Sequence, residues 1–229
     1  MKPSTERIAH WAAARSIFGA SLAISRYGPK MPELEPRLLP GNRISIGPRG
    51  LIFRDSSLLR AIEKGMAIPE LGPMFRHPLC ALRSICALRR IARLYDQSKI
   101  SPNTLSALLR AGLESLAVFG NHDPASRSLF CDEFDELVDF RLDGHGSLGW
   151  LRLCPKGAFA AASETPSGTP SVILTFSSPE VAFDAILRGM DQLGALATGK
   201  VLLQGNIPLM EKIGYLSRVV LGRVPVPIT

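Results

Sequence analysis

The spacing of hydrophobic residues changes once along this chain, from a helical period before residue 130 to a strand-like alternation after residue 137. In the first part, apolar residues recur every three or four positions, which is typical of helices that bury one face. Four prolines in residues 28–42 predict an extended connector. Residues 43–46 and 51–54 predict a hairpin, and residues 69–78, with three prolines and a glycine, predict a loop. The predicted helices of this part cover residues 5–27, 57–64, 79–97 and 102–119, with a short one at 125–137.

After residue 137 the chain consists of short apolar runs separated by turn residues. Val172, Leu174 and Phe176 share one side of a strand rich in β-branched residues. Ser178 and Pro179 predict the start of a helix, because serine caps a first turn and proline fits its first position. The predicted strands cover residues 137–142, 148–153, 158–164, 171–176 and 200–204, and the predicted helices cover residues 179–188, 190–198 and 206–222. This succession of elements indicates an α+β protein.

Composition excludes several classes of protein. The 229 residues are 46% hydrophobic and 21% charged, which excludes a wholly disordered chain or a low-complexity fibre. The net charge of +7 is uneven, because residues 1–130 hold 19 Lys and Arg against 9 Asp and Glu, whereas residues 131–229 hold 8 against 11. The basic half indicates either ordinary solubility or an acidic partner.

The basic charge is densest in the predicted helix 79–97. At 100° per residue, one side of this helix is mostly apolar, and four arginines lie on the other side. A solvated outer face, an anionic membrane surface, an acidic protein partner and nucleic-acid phosphates remain alternative interpretations. No aromatic residues alternate with the arginines, so base stacking is not indicated and we do not expect nucleic acid. The arginines are Arg83, Arg89, Arg90 and Arg93.

The four cysteines and the lack of a targeting segment bear on the compartment. Cys80, Cys86, Cys131 and Cys154 stand among apolar neighbours without metal-site spacing, which predicts buried free thiols in a reducing cytoplasm. A charged residue interrupts the apolar stretch 8–25, so its residue pattern is typical neither of a membrane-spanning helix nor of a signal peptide. We therefore expect a cytoplasmic protein, or one at the periphery of a membrane.

Catalytic and metal-binding signatures are missing from the sequence. It contains no GxSxG, HExxH, GxGxxG or Walker motif, and no pair of histidines at ligand spacing. His122 and Asp123 are adjacent and could in principle form an acid–base pair, but we favour a surface turn as the explanation. We expect no enzyme activity, no cofactor and no metal site.

The stretch 171–216 carries a more specific pattern. A strand ends at a serine cap, a helix with Phe183 follows, and a glycine turn comes at Gly189. The strand that begins at Gly199-Lys200 ends at Gly205-Asn206, just before a terminal amphipathic helix. This order, with the hairpins before it, resembles the sterol carrier protein type 2 lipid-transfer domain over residues 130–222. The resemblance implies a five-stranded, mostly antiparallel sheet covered by helices, in a domain at 126–229, preceded by a helix-rich basic N-terminal region at 1–125.

The resemblance also implies a function, which is non-catalytic binding or transfer of a long apolar ligand such as an acyl lipid, an isoprenoid or a sterol-like molecule. An apolar layer between sheet and helices would hold such a ligand through burial alone. The alternative is an accessory or scaffold protein of a lipid- or quinone-modifying enzyme complex, with a filled core and a basic partner-binding helix. The predicted ligand-binding residues are Trp150, Phe159, Val172, Leu174, Phe176, Phe183, Ile186, Leu187, Leu196, Val201, Leu203, Ile207, Met210 and Ile213.

Overall fold

A computed structural model describes residues 5–28, 30–47, 51–54, 57–64, 69–96, 98, 100–133, 135–154, 158–162, 166, 168–189 and 191–226. The N-terminal region begins with a long helix, as predicted, and its sequence forms five more helices before the main sheet. The helices are α1 (Thr5–Tyr27), α2 (Ser57–Lys64), α3 (Leu71–Arg76), α4 (Pro78–Ala92), α5 (Pro102–His122) and α6 (Pro124–Leu129), and a 3-10 turn (Arg93–Tyr95) extends α4.

A small antiparallel sheet lies between α1 and α2 in the sequence. It consists of β1 (Pro36–Leu39), β2 (Arg43–Ile46) and β3 (Leu51–Arg54) in that order. The β2–β3 hairpin was predicted, whereas β1 lies in what the prolines predicted to be an extended connector. Pro36 is compatible with a strand because it is the first residue of an edge strand, where a missing amide proton costs little.

The main sheet is formed by the C-terminal part of the chain and confirms the predicted fold class. Its strands are β4 (Glu136–Leu142), β5 (Gly146–Cys154), β6 (Ala158–Ala162), β7 (Val172–Phe176) and β8 (Val201–Gly205). Their order is β6-β5-β4-β7-β8, and only the β4–β7 pair is parallel. The remaining helices are α7 (Pro179–Arg188), α8 (Gln192–Ala197) and α9 (Ile207–Leu221).

The strand register separates the two faces of this sheet. Phe140 pairs with Leu174, which pairs with Leu203, so these three side chains share the face that α5, α7 and α9 cover. Asp139 pairs with Trp150 and lies on the opposite face. There the buried Asp139 carboxylate accepts hydrogen bonds from Ser147 Oγ at 2.6 Å and Arg141 Nε at 2.6 Å.

Helix α5 joins the two halves of the molecule, because one side packs on α1 and the other side on β5 and β6. The Glu114 carboxylate, which is 6% exposed, accepts hydrogen bonds from Arg15 of α1 at 2.6 Å and from Arg110 at 2.6 Å. On the sheet side, Ser106 Oγ donates to the Leu148 carbonyl at 2.6 Å. One hydrophobic core therefore runs from α1 through α5 to the sheet.

Two further expectations from the sequence are wrong. The segment predicted as a loop at 69–78 contains α3, because its proline lies in the first turn, where no intrahelical amide bond is lost. The cysteines are not buried, because Cys80, Cys86 and Cys131 are exposed and Cys154 is half-buried, although all four are free thiols. Apolar neighbours in sequence did not predict burial, since Cys80 and Cys86 lie on outward-facing parts of a surface helix.

Candidate ligand-binding cavity

A cavity lies between the N-terminal helices and the layer formed by α5, α7 and α9. Its volume is about 370 Å³, which falls within the range of roughly 300–1,000 Å³ of small-molecule sites. The N-terminal wall comes from α1, α2, β3, and the inner side of α4, and the opposite wall from α5, α7 and the end of α9. Apolar residues that line it include Leu51, Phe53, Ile85, Leu88, Leu108, Leu187 and Val220.

Few polar groups face this larger cavity. The hydroxyls of Ser16 and Ser115 donate to the carbonyls of Ala13 at 2.8 Å and Ala12 at 3.1 Å, so α1 satisfies both. Burial raises the pKa of Tyr95 to about 12, so its hydroxyl is a neutral polar group in the wall. Arg89 is exposed and therefore marks the solvent end of the cavity. The walls can hold an apolar chain, and the guanidinium group of Arg89 lies at the opening.

A smaller cavity of about 140 Å³ lies directly above the main sheet. Its floor is formed by Phe140, Leu174 and Phe176, and its roof by residues of α5, α7 and α9. Its size is close to that of an apolar cavity of about 150 Å³ that binds a benzene ring. Alone it could therefore hold only the end of a long ligand.

The two cavities adjoin. Gly112 of α5, Ile186 of α7, and Val220 and Leu221 of α9 line both. Gly112 is exposed, and a Cβ atom there would meet no heavy atom within 4 Å, so open space lies beside the helix at this position. An apolar site with two lobes results, and Gly112 lies at their junction.

Some of the residues that the sequence predicted for the ligand site line these cavities. Leu174, Phe176, Met210 and Ile213 line the smaller lobe, Leu187 lines the larger lobe, and Ile186 lines both. Their roles in binding a ligand stay predictions, but the structure brings these six side chains together.

The other predicted ligand residues lie elsewhere. Val172, Phe183 and Val201 are buried in the core away from both lobes, and Leu203 is half-buried. Phe159 packs its ring against Gly120 and edge-on against Phe130, with ring centroids 4.9 Å apart. Trp150 lies on the opposite face of the sheet. The exposed residues of the set are Leu196 and Ile207.

Sequence reasoning did not assign any ligand contact to the N-terminal region, yet that region supplies most of the residues that line the larger lobe. The signal that could have found it is the apolar side of the helix at 79–97, since Ile85, Leu88 and Tyr95 of that side line the lobe. Residues of α2 and β3, such as Phe53 and Leu58, carried no such signal because each belongs to a short element.

The four arginines of the predicted basic face do not share one environment. Arg83, Arg89 and Arg93 are exposed, whereas Arg90 is half-buried near Gly28 at the end of α1. Arg89 also lines the larger lobe. Which acidic surface they contact stays a prediction.

The groups considered for catalysis have structural roles in this fold. Asp123 caps α6, because its carboxylate accepts hydrogen bonds from Ser126 N at 2.9 Å and Ser126 Oγ at 2.7 Å. In the part of the chain that the structure describes, no group of three or more His, Cys, Asp and Glu side chains could hold a metal ion. No described helix is long and apolar enough to cross a membrane.

Comparisons with known proteins give distant matches among solved structures. No family model and no curated protein matches the chain. Among solved structures, the chain is similar to UbiJ-SCP2, a ubiquinone synthesis protein, with a TM-score of 0.36 and 15% identity over 47% of this chain and 86% of that one. Sterol carrier protein domain 2 of Helicoverpa armigera gives a TM-score of 0.36 and 22% identity over 52% of this chain and 91% of that one. The sec-alkylsulfatase Pisa1 from Pseudomonas sp. gives a TM-score of 0.28 and 15% identity over 63% of this chain and 28% of that one. The matched structures include sterol carrier proteins, the family that the sequence resembles. The described part of the chain itself has an α+β arrangement, with helices over one face of its five-stranded sheet.

Proposed function

We propose that this protein binds the apolar chain of a lipid in the two-lobed cavity, without catalysing a reaction on it. The observation that supports this proposal is the cavity itself, since a core with adjoining spaces of about 370 Å³ and 140 Å³ is not fully packed by its own side chains. Lobes of this size fit a long, narrow ligand better than a compact one.

The lining determines which ligand chemistry is favoured. Burying each methylene group contributes about 0.8 kcal/mol, so ten buried methylenes contribute about 8 kcal/mol before the costs of ordering the ligand. The charged side chains among the described lining residues are Arg89 in the larger lobe and Arg218 in the smaller, and both are exposed at the surface. An ionic group buried between the apolar walls would therefore lose much solvation energy. The ligand's polar end is therefore placed at the opening near Arg89, with its chain directed past Gly112 towards the sheet.

The first experiment is native mass spectrometry of the purified full chain, followed by solvent extraction and lipid analysis. We expect an adduct of stoichiometric amount that extraction releases. A bare protein mass that stays bare after incubation with mixed acyl lipids and isoprenoid quinones would contradict the proposal. That result, together with a stable protein partner, would favour the scaffold function instead.

The variant Gly112→Phe tests whether the cavity is the site. Phenylalanine at this position has open space for its Cβ and should project its ring into the junction of the lobes. We expect at least tenfold weaker binding of a long-chain fluorescent fatty acid, measured by titration. Stability should not fall, because phenylalanine has a higher helix propensity than glycine.

The matched control is Gly112→Ala, which adds one methyl group and leaves both lobes largely open. It should bind the fatty acid within about twofold of the unmodified protein. Equal binding by Gly112→Phe and Gly112→Ala would place the fatty acid outside this cavity.

A further inference from the structure

The surface of α3 and α4 exposes an unusual row of large apolar side chains. Phe75 is 80% exposed, Leu79 is 74% exposed, and Leu71 and Leu82 are each more than half exposed. We call these four residues the α3–α4 ridge. Single exposed apolar residues are ordinary on protein surfaces, whereas four within twelve residues form a patch, and such patches mark interaction sites.

The ridge cannot turn inward, because the opposite side of α4 is already packed. Ala81, Ser84, Ala87 and Ile91 of α4 are buried against the rest of the protein. At 100° per residue, Leu79, Leu82 and Cys86 fall within a sector about 60° wide on the outer side of the helix. Arg89 and Arg93 continue the same sector, so the outer side of α4 is apolar in its first half and basic in its second half.

The charge around the ridge has a single sign. The sequence contains no Asp or Glu between Glu70 and Asp96, and five arginines lie in that interval. Four of them are exposed and form no salt bridge with any acidic residue in the described ranges: Arg76, Arg83, Arg89 and Arg93. Unpaired arginines beside exposed leucine and phenylalanine call for a partner that is negatively charged at its surface and apolar just below it.

We propose that the α3–α4 ridge docks this protein on an anionic lipid bilayer. Helices that lie in a membrane interface insert Leu and Phe side chains to a depth of about 5–10 Å while basic residues contact the lipid headgroups. Five arginines and no acidic residue lie between Glu70 and Asp96 beside the exposed Leu and Phe side chains, and this combination is typical of helices that lie on anionic bilayers. A bilayer therefore fits this surface better than a protein partner.

The position of the ridge connects docking to the cavity, and this step rests on the proposed function. Ile85, Leu88 and Arg89 of α4 line the larger lobe, so the helix that carries the ridge is also a wall of the cavity. Docking on a bilayer would place the Arg89 end of the lobe at the level of the headgroups. A lipid chain could then pass between bilayer and cavity without crossing bulk water.

The test is flotation of the full chain with vesicles of phosphatidylcholine alone, or with one quarter of it replaced by phosphatidylglycerol. We expect binding to the anionic vesicles only, and weaker binding as salt is raised. Phe75→Ser/Leu79→Ser should lower the partition coefficient at least tenfold. Arg83→Gln/Arg93→Gln should also lower it at least tenfold, since each basic residue near an anionic surface contributes about fivefold.

Matched controls replace exposed residues that belong to other elements. Tyr215→Ser and Arg37→Gln/Arg127→Gln should bind the anionic vesicles as the unmodified protein does. Gly112→Phe should also bind them unchanged, which separates docking from the contents of the cavity.

Three outcomes would overturn the docking proposal. The first is no binding to anionic vesicles, and the second is equal loss in the ridge variants and their controls. The third is a dimer, detected by sedimentation equilibrium without lipid, that Phe75→Ser/Leu79→Ser dissociates, because this result would assign the ridge to a second copy of the chain.

Discussion

At the scale of single residues, Gly120 shows how closely α5 approaches the sheet. A Cβ atom at this position would overlap the ring of Phe159 on β6, and that ring is itself held edge-on against Phe130. The Asn121 side chain fixes the same strand, since its amide donates to the Phe159 carbonyl at 3.2 Å and its oxygen accepts from Phe159 N at 2.7 Å. The ring therefore has little freedom to move away.

Gly120→Ala should lower the free energy of unfolding by about 2 kcal/mol, because the added methyl group overpacks a rigid contact. Urea denaturation measures this, and Gly112→Ala is the matched control on the same helix. There the new methyl group meets open space, so alanine should raise stability by about 0.5–1 kcal/mol. Equal shifts of the two variants would contradict the close approach at Gly120.

Tyr95 gives the cavity wall a measurable pH dependence. Burial raises its pKa from 10.0 to about 12, so the folded protein holds the hydroxyl proton more tightly than the unfolded chain does. The stabilisation is fully present below pH 10 and is lost as pH rises towards 12. The stability of the unmodified protein relative to Tyr95→Phe should therefore fall as the pH rises from about 10 towards 12. A constant difference, measured by urea denaturation at each pH, would show that the hydroxyl is not buried.

At the scale of elements, the sequence predicted the helices and strands whose ends are specified locally. Ser101, Ser178 and Asn206 each accept a hydrogen bond from the first turn of the helix that follows, at 3.2, 3.3 and 3.1 Å from the respective amide nitrogens. Such caps can be recognised in the sequence, because the amide donor and the side-chain acceptor are only three residues apart. β1 and α3 were not predicted, because the prolines in both segments suggested breaks in regular structure. The pairing of β1 with β2 and the packing of α3 on α4 appear only in the folded structure.

The basic helix α4 shows the limit of a helical wheel read without tertiary structure. The wheel separated Arg83, Arg89 and Arg93 from the apolar side correctly, and Leu88 and Ile91 of that side do face inward. It did not predict that Leu79 and Leu82 share the outer face with the arginines. The exposed apolar ridge became visible only when α3 was placed beside α4.

At the scale of the whole molecule, the site was only partly predictable because it is shared between distant parts of the sequence. The sheet and α9 residues of the smaller lobe follow from strand alternation and from helix periodicity. The larger lobe forms because α1, α2 and β3 lie opposite α7 and α9, and no local sequence pattern predicts that arrangement. A cavity is also a volume that the side chains leave unfilled, and neither the amino-acid composition nor the hydrophobic periodicity predicts such a volume.

The division of the chain into regions 1–125 and 126–229 stays a prediction, and two tryptophans offer a direct test. Trp11 lies in α1 and Trp150 in β5, one in each region, and the chain has no other tryptophan. In Trp150→Phe the fluorescence reports on the N-terminal region alone, and in Trp11→Phe it reports on the sheet alone.

In each single-tryptophan variant, we expect the urea midpoint measured by tryptophan fluorescence to equal the midpoint measured by far-ultraviolet circular dichroism of that same variant. The reason is α5, which buries apolar residues on both sides and is tied to α1 through Arg15 and Glu114 and to β5 through Ser106. Separate melting would expose one side of that helix while the other stayed folded, at the cost of its buried apolar contacts. Adding Glu114→Gln to both variants should lower both fluorescence midpoints by the same amount, since the lost ion pair stabilises a single cooperative unit. Two fluorescence midpoints that differ from each other, with only the Trp11 signal shifted by Glu114→Gln, would instead establish two regions that unfold independently.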